Sequence, residues 1–210
     1  MTAVCVVRAL IPGPKEAGRT AIDKRPITGP VEVGPLGLAG DQVCDIEHHG
    51  GAEQAVYAYA DEDADWWAEH LQREIPPGLF GENLRTAGVD VTNAVIGERW
   101  RVGEVLFEVT APRIPCVTFT ARMDEPRWAK RFSEHGAPGA YLAVLEPGAV
   151  RAGDSITLER RPAHGVTIAD TFLRADAEVM RRLLGADGHD GFALTPRLRR
   201  WAEHEVSRSA

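Results

Sequence analysis

The chain has 210 residues, 44% of them hydrophobic and 26% charged, with a formal net charge of −7. That length supports one sizeable core, or a main domain with a small appendage, and the acidic balance argues against general nucleic-acid binding, which uses a basic face. No stretch of about 18 apolar residues is present to read as a membrane span. The opening "MTAVCVVRALIPG" has neither a basic leader nor a small-residue cleavage site, so it reads as a first strand of a cytoplasmic protein.

From there to about residue 160 the pattern is β-like. "AVCVVRAL" (3–10) is β-branched at its centre, and "AVYAYA" (55–60) and "EVLFEV" (104–109) alternate. "AYLAVLE" (140–146) and "SITLER" (155–160) complete the clearer set, with turn glycines between them at Gly97, Gly103, Gly136, Gly139, Gly148 and Gly153. Short strands at this spacing predict a closed or nearly closed antiparallel barrel. Two helices are predicted as insertions. One runs from Asp61 to about Glu74, with Trp66, Trp67 and Leu71 on one side and Pro76-Pro77 beyond its end; the other runs from about Glu125 to His135, with Trp128 and Phe132 at helical spacing.

After "LERRPAHG" (158–165) the character changes. "VTIADTFL" begins a short helix, Asp176 is a predicted N-cap for "AEVMRRLL" with Gly185 as its stop, and Thr195-Pro196 opens a last helix, "RLRRWAEHEV". The expected organisation is a barrel domain over 1–162 and three small helices over 163–210.

Four stretches carry candidate chemistry. "DKRPITGP" sets Lys24 and Arg25 before Pro26, two cations on a restrained loop that could grip a phosphate, against the commoner reading of solvated charge. "GPVEVGPLGLAGDQVCDIEHHGG" (29–51) is glycine-rich, which lets backbone approach a ligand closely. Its neighbouring His48 and His49 would point to opposite faces of a strand, and the spacing matches no zinc motif; histidines capping backbone carbonyls are as good a reading as ligands. "GLFGENL" (78–84) offers Glu82 and Asn83 without the lysine of a phosphate-binding loop. "APRIPC" places Cys116 behind two prolines, with Arg113 three residues before it, where a guanidinium favours the thiolate form that binds metals. The three cysteines, Cys5, Cys44 and Cys116, make neither a disulfide framework nor a paired-cysteine metal site. A lone cysteine is more often a small buried hydrophobe than a ligand. A hydrolase pairing Cys116 with His48, His49 or His135 also stays open, and would need an orienting Asn or Asp.

Taken in order, Lys24, "GPVEV", "GLAGD", "HHGG", "AVYAY", "GLFGENL", "GERWRVGE", "PRIPC", "GAYLAVL" and "GDSITL" resemble a MOSC domain, named for the C-terminal domain of molybdenum-cofactor sulfurase. The tail from about residue 165 is similar to the "3-alpha" appendage of the YiiM-like branch. The resemblance spans nearly the whole chain. It implies a mainly β fold, a strongly bent antiparallel β-barrel of the PK beta-barrel-like kind, whose pocket holds a molybdopterin-type molybdenum cofactor with one cysteine sulfur on the metal. Cys116 matches that cysteine. Lys24, Arg25, the loop His48, His49, Gly50 and Gly51, and Arg113 are the matching candidates for the cofactor's phosphate, and Asn83 for its pterin edge. Gln54 stands where family members commonly have lysine, so an anion-binding charge is missing there. The activity implied is reduction of N-hydroxylated compounds, with His48 or His49 moving protons. No flavin, nicotinamide or iron–sulfur motif is recognisable, so electrons would come from a separate flavoprotein or iron–sulfur reductase, for which the helical tail is a candidate docking surface. A homodimer is compatible with the resemblance. A carrier of cofactor or of a Cys116 persulfide, without turnover of its own, is the alternative.

Overall fold

The computed structural model describes residues 1–14, 18–44, 50–173 and 176–209. Thirteen strands are found among them: β1 (Ala3–Val7), β2 (Ile11–Pro12), β3 (Arg19–Thr20), β4 (Lys24–Pro26), β5 (Val31–Gly34), β6 (Gly37–Leu38), β7 (Val56–Ala60), β8 (Leu84–Thr86), β9 (Arg99–Val102), β10 (Val105–Pro112), β11 (Ala140–Glu146), β12 (Gly148–Val150) and β13 (Ile156–Arg160). The helices are α1 (Asp61–Leu71), α2 (Val117–Met123), α3 (Trp128–His135), α4 (Ile168–Leu173), α5 (Ala177–Ala186) and α6 (Pro196–Ser207).

The main sheet has eight strands in the order β13-β9-β10-β11-β7-β8-β1-β4. Its longest strand is β10, whose alternating apolar residues face the core while its backbone pairs with β9 on one side and β11 on the other. β12, β5 and β6 form a second, three-stranded sheet, and β2 and β3 a short ribbon.

Two features depart from the predicted antiparallel barrel. The hydrogen-bonded order is open, with no pair joining β13 to β4 among the described residues. The pair β7–β8 is also parallel, Ala58 facing Leu84 and Ala60 facing Thr86. Parallel neighbours need a crossover, and α1 with the "PPGLFGEN" turn supplies it. The outcome is a sheet-rich mixed fold with several helices.

α1 ends where Gln72 adopts a left-handed conformation, φ 51°, short of the prolines. α3 carries Trp128 and Phe132 into the interior and stops at Gly136, φ 81°. Both rings join Trp67, Tyr59, Phe80 and Phe119 in an aromatic cluster on one side of the sheet. The other side is the aliphatic core of Val4, Val56, Leu84, Phe107, Val109 and Leu142, and it continues without a break into Met180, Leu183, Phe192 and Leu198 of the C-terminal helices.

Backbone also ties the tail to the sheet. The Ile96 amide donates to Val166 at 3.0 Å, and the Ile168 amide to Ala94 at 2.9 Å. Gly97 (φ 84°) lets Phe192 approach so closely that a Cβ there would lie 2.4 Å from the ring. Asp176 caps α5 as predicted, accepting from the Glu178 and Val179 amides, and Thr195-Pro196 starts α6. Gly185 does not stop α5. The helix runs through it to Ala186, since Gly185 does not take the left-handed conformation of a glycine cap, and it ends instead at Asp187 in extended conformation.

Candidate functional site

A cavity of about 640 Å³ opens between the C-terminal end of β10, β4, β7 and the segment after β6. It gathers Lys24, Gly50, Asn83, Arg113 and Cys116, five of the residues singled out from the sequence. Arg25 and Gly51 do not line it. His48 and His49 lie outside the described residues.

Lys24 and Arg25 are not on a loop. They pair within the sheet, Lys24 opposite Val7 and Arg25 opposite Val6, so strand alternation sends their side chains to opposite faces. Lys24 points in and is buried; its Nζ donates to Asp41 Oδ2 at 2.6 Å. Burial lowers its pKa, with the Asp41 carboxylate opposing. Arg25 points out and pairs with Asp23 at 3.1 Å. Asp23 also accepts from Arg122 at 2.7 Å, so Arg25 belongs to a structural bridge between β4 and α2.

Asn83 is fully employed as a donor. Its Nδ2 donates to the Cys5 carbonyl at 3.2 Å and to Asp41 Oδ2 at 2.7 Å, while its Oδ1 accepts from the Tyr57 amide at 3.1 Å. Since an amide nitrogen has two hydrogens, none is left for a ligand. Asn83 therefore locks β1, β7 and Asp41 together at the cavity floor. Asp41 in turn accepts from the Val7 amide at 3.0 Å.

Arg113 is the buried cation of the wall. Its Nη1 donates to the Phe80 carbonyl at 3.0 Å, and its guanidinium lies 4.4 Å from the Phe119 ring centroid and 5.0 Å from that of Tyr57. Its Nε has no hydrogen-bond partner among the described residues. Burial opposes its charge, but Tyr141, Tyr57, Cys116 and the Glu82 carboxylate outweigh that and raise its pKa. Glu82, by contrast, sits below the wall. It accepts from the Gly78 and Phe80 amides at 2.7 and 3.0 Å and pairs with buried Arg85, holding the "PPGLFGEN" turn in shape.

Cys116 is half-buried at the residue before α2, in extended conformation (φ −114°, ψ 173°), with its thiol in the cavity lining. Pro115 and Pro112 fix the preceding backbone. α2 begins one residue later, and buried Phe119 and Met123 anchor it. Cys5 is fully buried outside the cavity lining, and burial pushes its thiol up to about 12, which keeps it protonated. Cys44, set aside from the sequence, lines the same cavity as Cys116.

The sequence reading missed Asp41, Tyr57 and Tyr141 as cavity residues. Each stands inside a stretch noted for its pattern, "GLAGD", "AVYAY" and "GAYLAVL", where it passed as turn or strand. Tyr57 donates to the Pro138 carbonyl at 2.8 Å. Burial raises the pKa of both phenols, so both stay protonated at neutral pH. Gln54 is also buried in the lining, as the last residue of the short 3-10 helix Ala52–Gln54, and its side-chain oxygen has no partner among the described residues. Among those residues no three His, Cys, Asp or Glu side chains cluster to hold a metal by themselves.

The comparisons with known proteins fit these positions. The profile of the MOSC domain family matches residues 45–157, the span that carries β7, Asn83, Arg113 and Cys116. The chain belongs to the MOSC domain family. Among MOSC relatives, protein YiiM of Escherichia coli (strain K12) is 31% identical over 182 residues, 82% of this chain and 80% of that one. A protein named "Reductase" from Gibberella moniliformis is 38% identical over 152 residues, which are 68% of this chain but only 26% of the fungal protein. In three dimensions the crystal structure of YiiM from Geobacillus stearothermophilus superposes with a TM-score of 0.77 at 25% identity, covering 98% of this chain and 97% of the other. The coverage takes in the C-terminal helices. Among the described residues no helix is long and apolar enough to cross a membrane.

Proposed function

We propose that the protein is a molybdenum-cofactor-dependent reductase of N-hydroxylated compounds, with Cys116 as the protein ligand to the metal. The observation that carries this reading is a single cavity holding the Cys116 thiol beside a buried arginine with an unpartnered N–H. The donor set fits such a group. A thiolate is the soft ligand suited to a metal already held by sulfur; the guanidinium of Arg113 lines the same cavity, and Arg19, Thr20 and Gly50 add polar lining for a phosphate. MOSC membership and the name of the fungal relative support the same class.

When bound, the cofactor would supply a two-electron centre with Lewis acidity toward the N–O oxygen. The rest falls to this chain. Cys116 would hold the metal through its sulfur. Asn83 and Lys24 hold Asp41 against the floor, so neither is free to follow a ligand, and Arg113, with Arg19, is the cation that would meet the phosphate. Reduction of R–NHOH takes two electrons and two protons and yields R–NH₂ and water. Tyr57 and Tyr141, protonated phenols in the lining, can hold a proton there, beside the role proposed for His48 or His49, which lie outside the described residues. Electrons come from a separate flavoprotein or iron–sulfur reductase.

Elemental analysis of wild type and Cys116→Ser, purified from a cofactor-competent host, tests the ligand. The serine variant is expected to lose bound molybdenum and to lose reduction of hydroxylamine by at least about a hundredfold, as for removal of a group acting at the reacting centre. Equal molybdenum and equal turnover would sink the assignment. Bound cofactor without reduction by chemical or protein donors would favour the carrier instead.

A further inference from the structure

A second cavity, about 330 Å³, lies on the other side of the loop that presents Cys116. Ala111, Pro112 and Ile114 form one wall; Leu198 and Trp201 of α6 form the other, with Arg197 at the edge. Gln54 lines this cavity and the larger one, and is the residue common to both. The strand end that delivers Arg113 and Cys116 to the first cavity thus delivers their neighbours to the second. We propose that this second cavity is the subsite for the aromatic, non-reacting part of the substrate, an inference that rests on the reductase reading, and that Gln54 and α6 set how large that part can be.

Three observations converge. Most of the lining surface is apolar, and both threonines are engaged: Thr110 Oγ1 lies 2.6 Å from the Glu53 carbonyl and 3.0 Å from that of Tyr141, with one hydrogen to give them, and Thr195 Oγ1 caps α6; Glu53, Gln54 and Arg197 supply the remaining polar lining. Such walls suit a flat ring better than an ion. Gln54 is more than nine-tenths buried, yet its side-chain oxygen has no partner among the described residues. A buried amide oxygen left without a partner is costly, and because Gln54 lines the cavity, a turn of its side chain would bring that oxygen to an N–H donor such as the nitrogen of an N-hydroxy amide. The volume is at the small end for ligand pockets, enough for a ring but not for a cofactor. The two cavities therefore divide the labour, the larger for the cofactor and the smaller for the ring.

Benzhydroxamic acid and its product benzamide differ by the reaction itself, PhC(O)NHOH plus two electrons and two protons giving PhC(O)NH₂ and water. Saturation-transfer NMR with benzamide on the full-length protein reads the subsite without turnover. Binding is expected in wild type and about tenfold weaker in Ala111→Phe, which fills the cavity, and in Trp201→Ala, which removes a wall. Near-UV circular dichroism confirms that each variant is folded. On loaded protein, the ratio of KM for benzhydroxamic acid to KM for hydroxylamine rises about tenfold in Ala111→Phe. Unchanged benzamide affinity in both folded variants, or an unchanged KM ratio, overturns the subsite. Benzamide binding that the variants abolish, on protein that reduces neither compound, supports the subsite and removes the reductase reading instead.

Discussion

At the scale of single residues, the cavity is organised by a polar knot that the sequence does not advertise. Asp41 accepts from Lys24, Asn83 and the Val7 amide together, so one carboxylate ties β1, β4 and the segment before β8. Both charged partners are buried, with side chains 10% and 8% exposed. A buried ion pair contributes little net stability against an apolar replacement, but breaking it from one side strands a charge. Asp41→Asn keeps the shape and removes the charge. It is expected to lower unfolding free energy by about 3 kcal/mol, measured by urea denaturation, and a loss below about 1 kcal/mol would show that Lys24 finds another anion or sheds its proton. Lys24, Asn83, Arg113 and Cys116 were legible as candidates because each lies in a short motif, and all four line one cavity. What each does was not legible. Asn83 reads as a ligand until its two amide hydrogens are found spent, and Arg25 reads like Lys24 until the strand turns them apart.

At the scale of elements, local pattern told helix from strand where the apolar period was strong, as in α1, α3, β10 and β11. It missed α2, since "CVTFTARM" is rich in β-branched residues and its helix is held by Phe119 and Met123 packing into the aromatic cluster, a tertiary cause. The β7–β8 parallel pair was equally hidden, because it depends on which strand a crossover reaches. α1 carries a testable conflict of its own. Its first turn holds Asp61, Glu62 and Asp63, favourable at a helix N-terminus. Asp63 is nonetheless pushed up to about 6 from the usual 3.8, chiefly by burial, with Asp90 and Glu62 adding to it and Thr92 opposing. A carboxyl whose pKa is raised by folding binds its proton more tightly in the native state. Native stability is then fullest below about pH 4, falls as pH rises from there to about 6, and stays lower above it. Asp63→Asn removes this dependence. The variant is expected to gain about 2 kcal/mol over wild type at pH 7 and nothing at pH 3, read as unfolding midpoints across the range. A gain independent of pH would mean that the burial cost is not the cause.

On the scale of the whole molecule, the expected boundary near residue 163 meets a core that does not stop there. Val166, Ile168, Met180, Leu183, Phe192 and Leu198 are buried in the same apolar cluster as Val56, Phe107 and Val109. Each large apolar side chain is worth roughly 1.5–3 kcal/mol when buried, while a whole domain is stable by only about 5–15 kcal/mol. Removing the tail therefore takes away interactions comparable to the entire net stability, and it also leaves the Ile96 amide and the Ala94 carbonyl without their partners. A chain ending at residue 162 is expected to lack a cooperative thermal transition and to lose the near-UV signal of its buried tryptophans. A truncated chain that melts cooperatively within a few degrees of wild type would show that the sheet closes its own core. The same physics decides how a docking role for the tail can be tested. Deletion would destroy the cavity that α6 helps to wall along with any docking surface, so a lost activity would be ambiguous. Charge reversal at Arg200 and Glu203, exposed on α6 away from buried Leu198 and Ala202, leaves the core intact. If a reductase docks there, Arg200→Glu with Glu203→Arg should slow turnover with the protein donor several-fold, in a salt-dependent way, and leave turnover with a chemical donor as it was. Equal slowing with both donors would place the effect in the fold, and no slowing with either would remove the docking surface from α6.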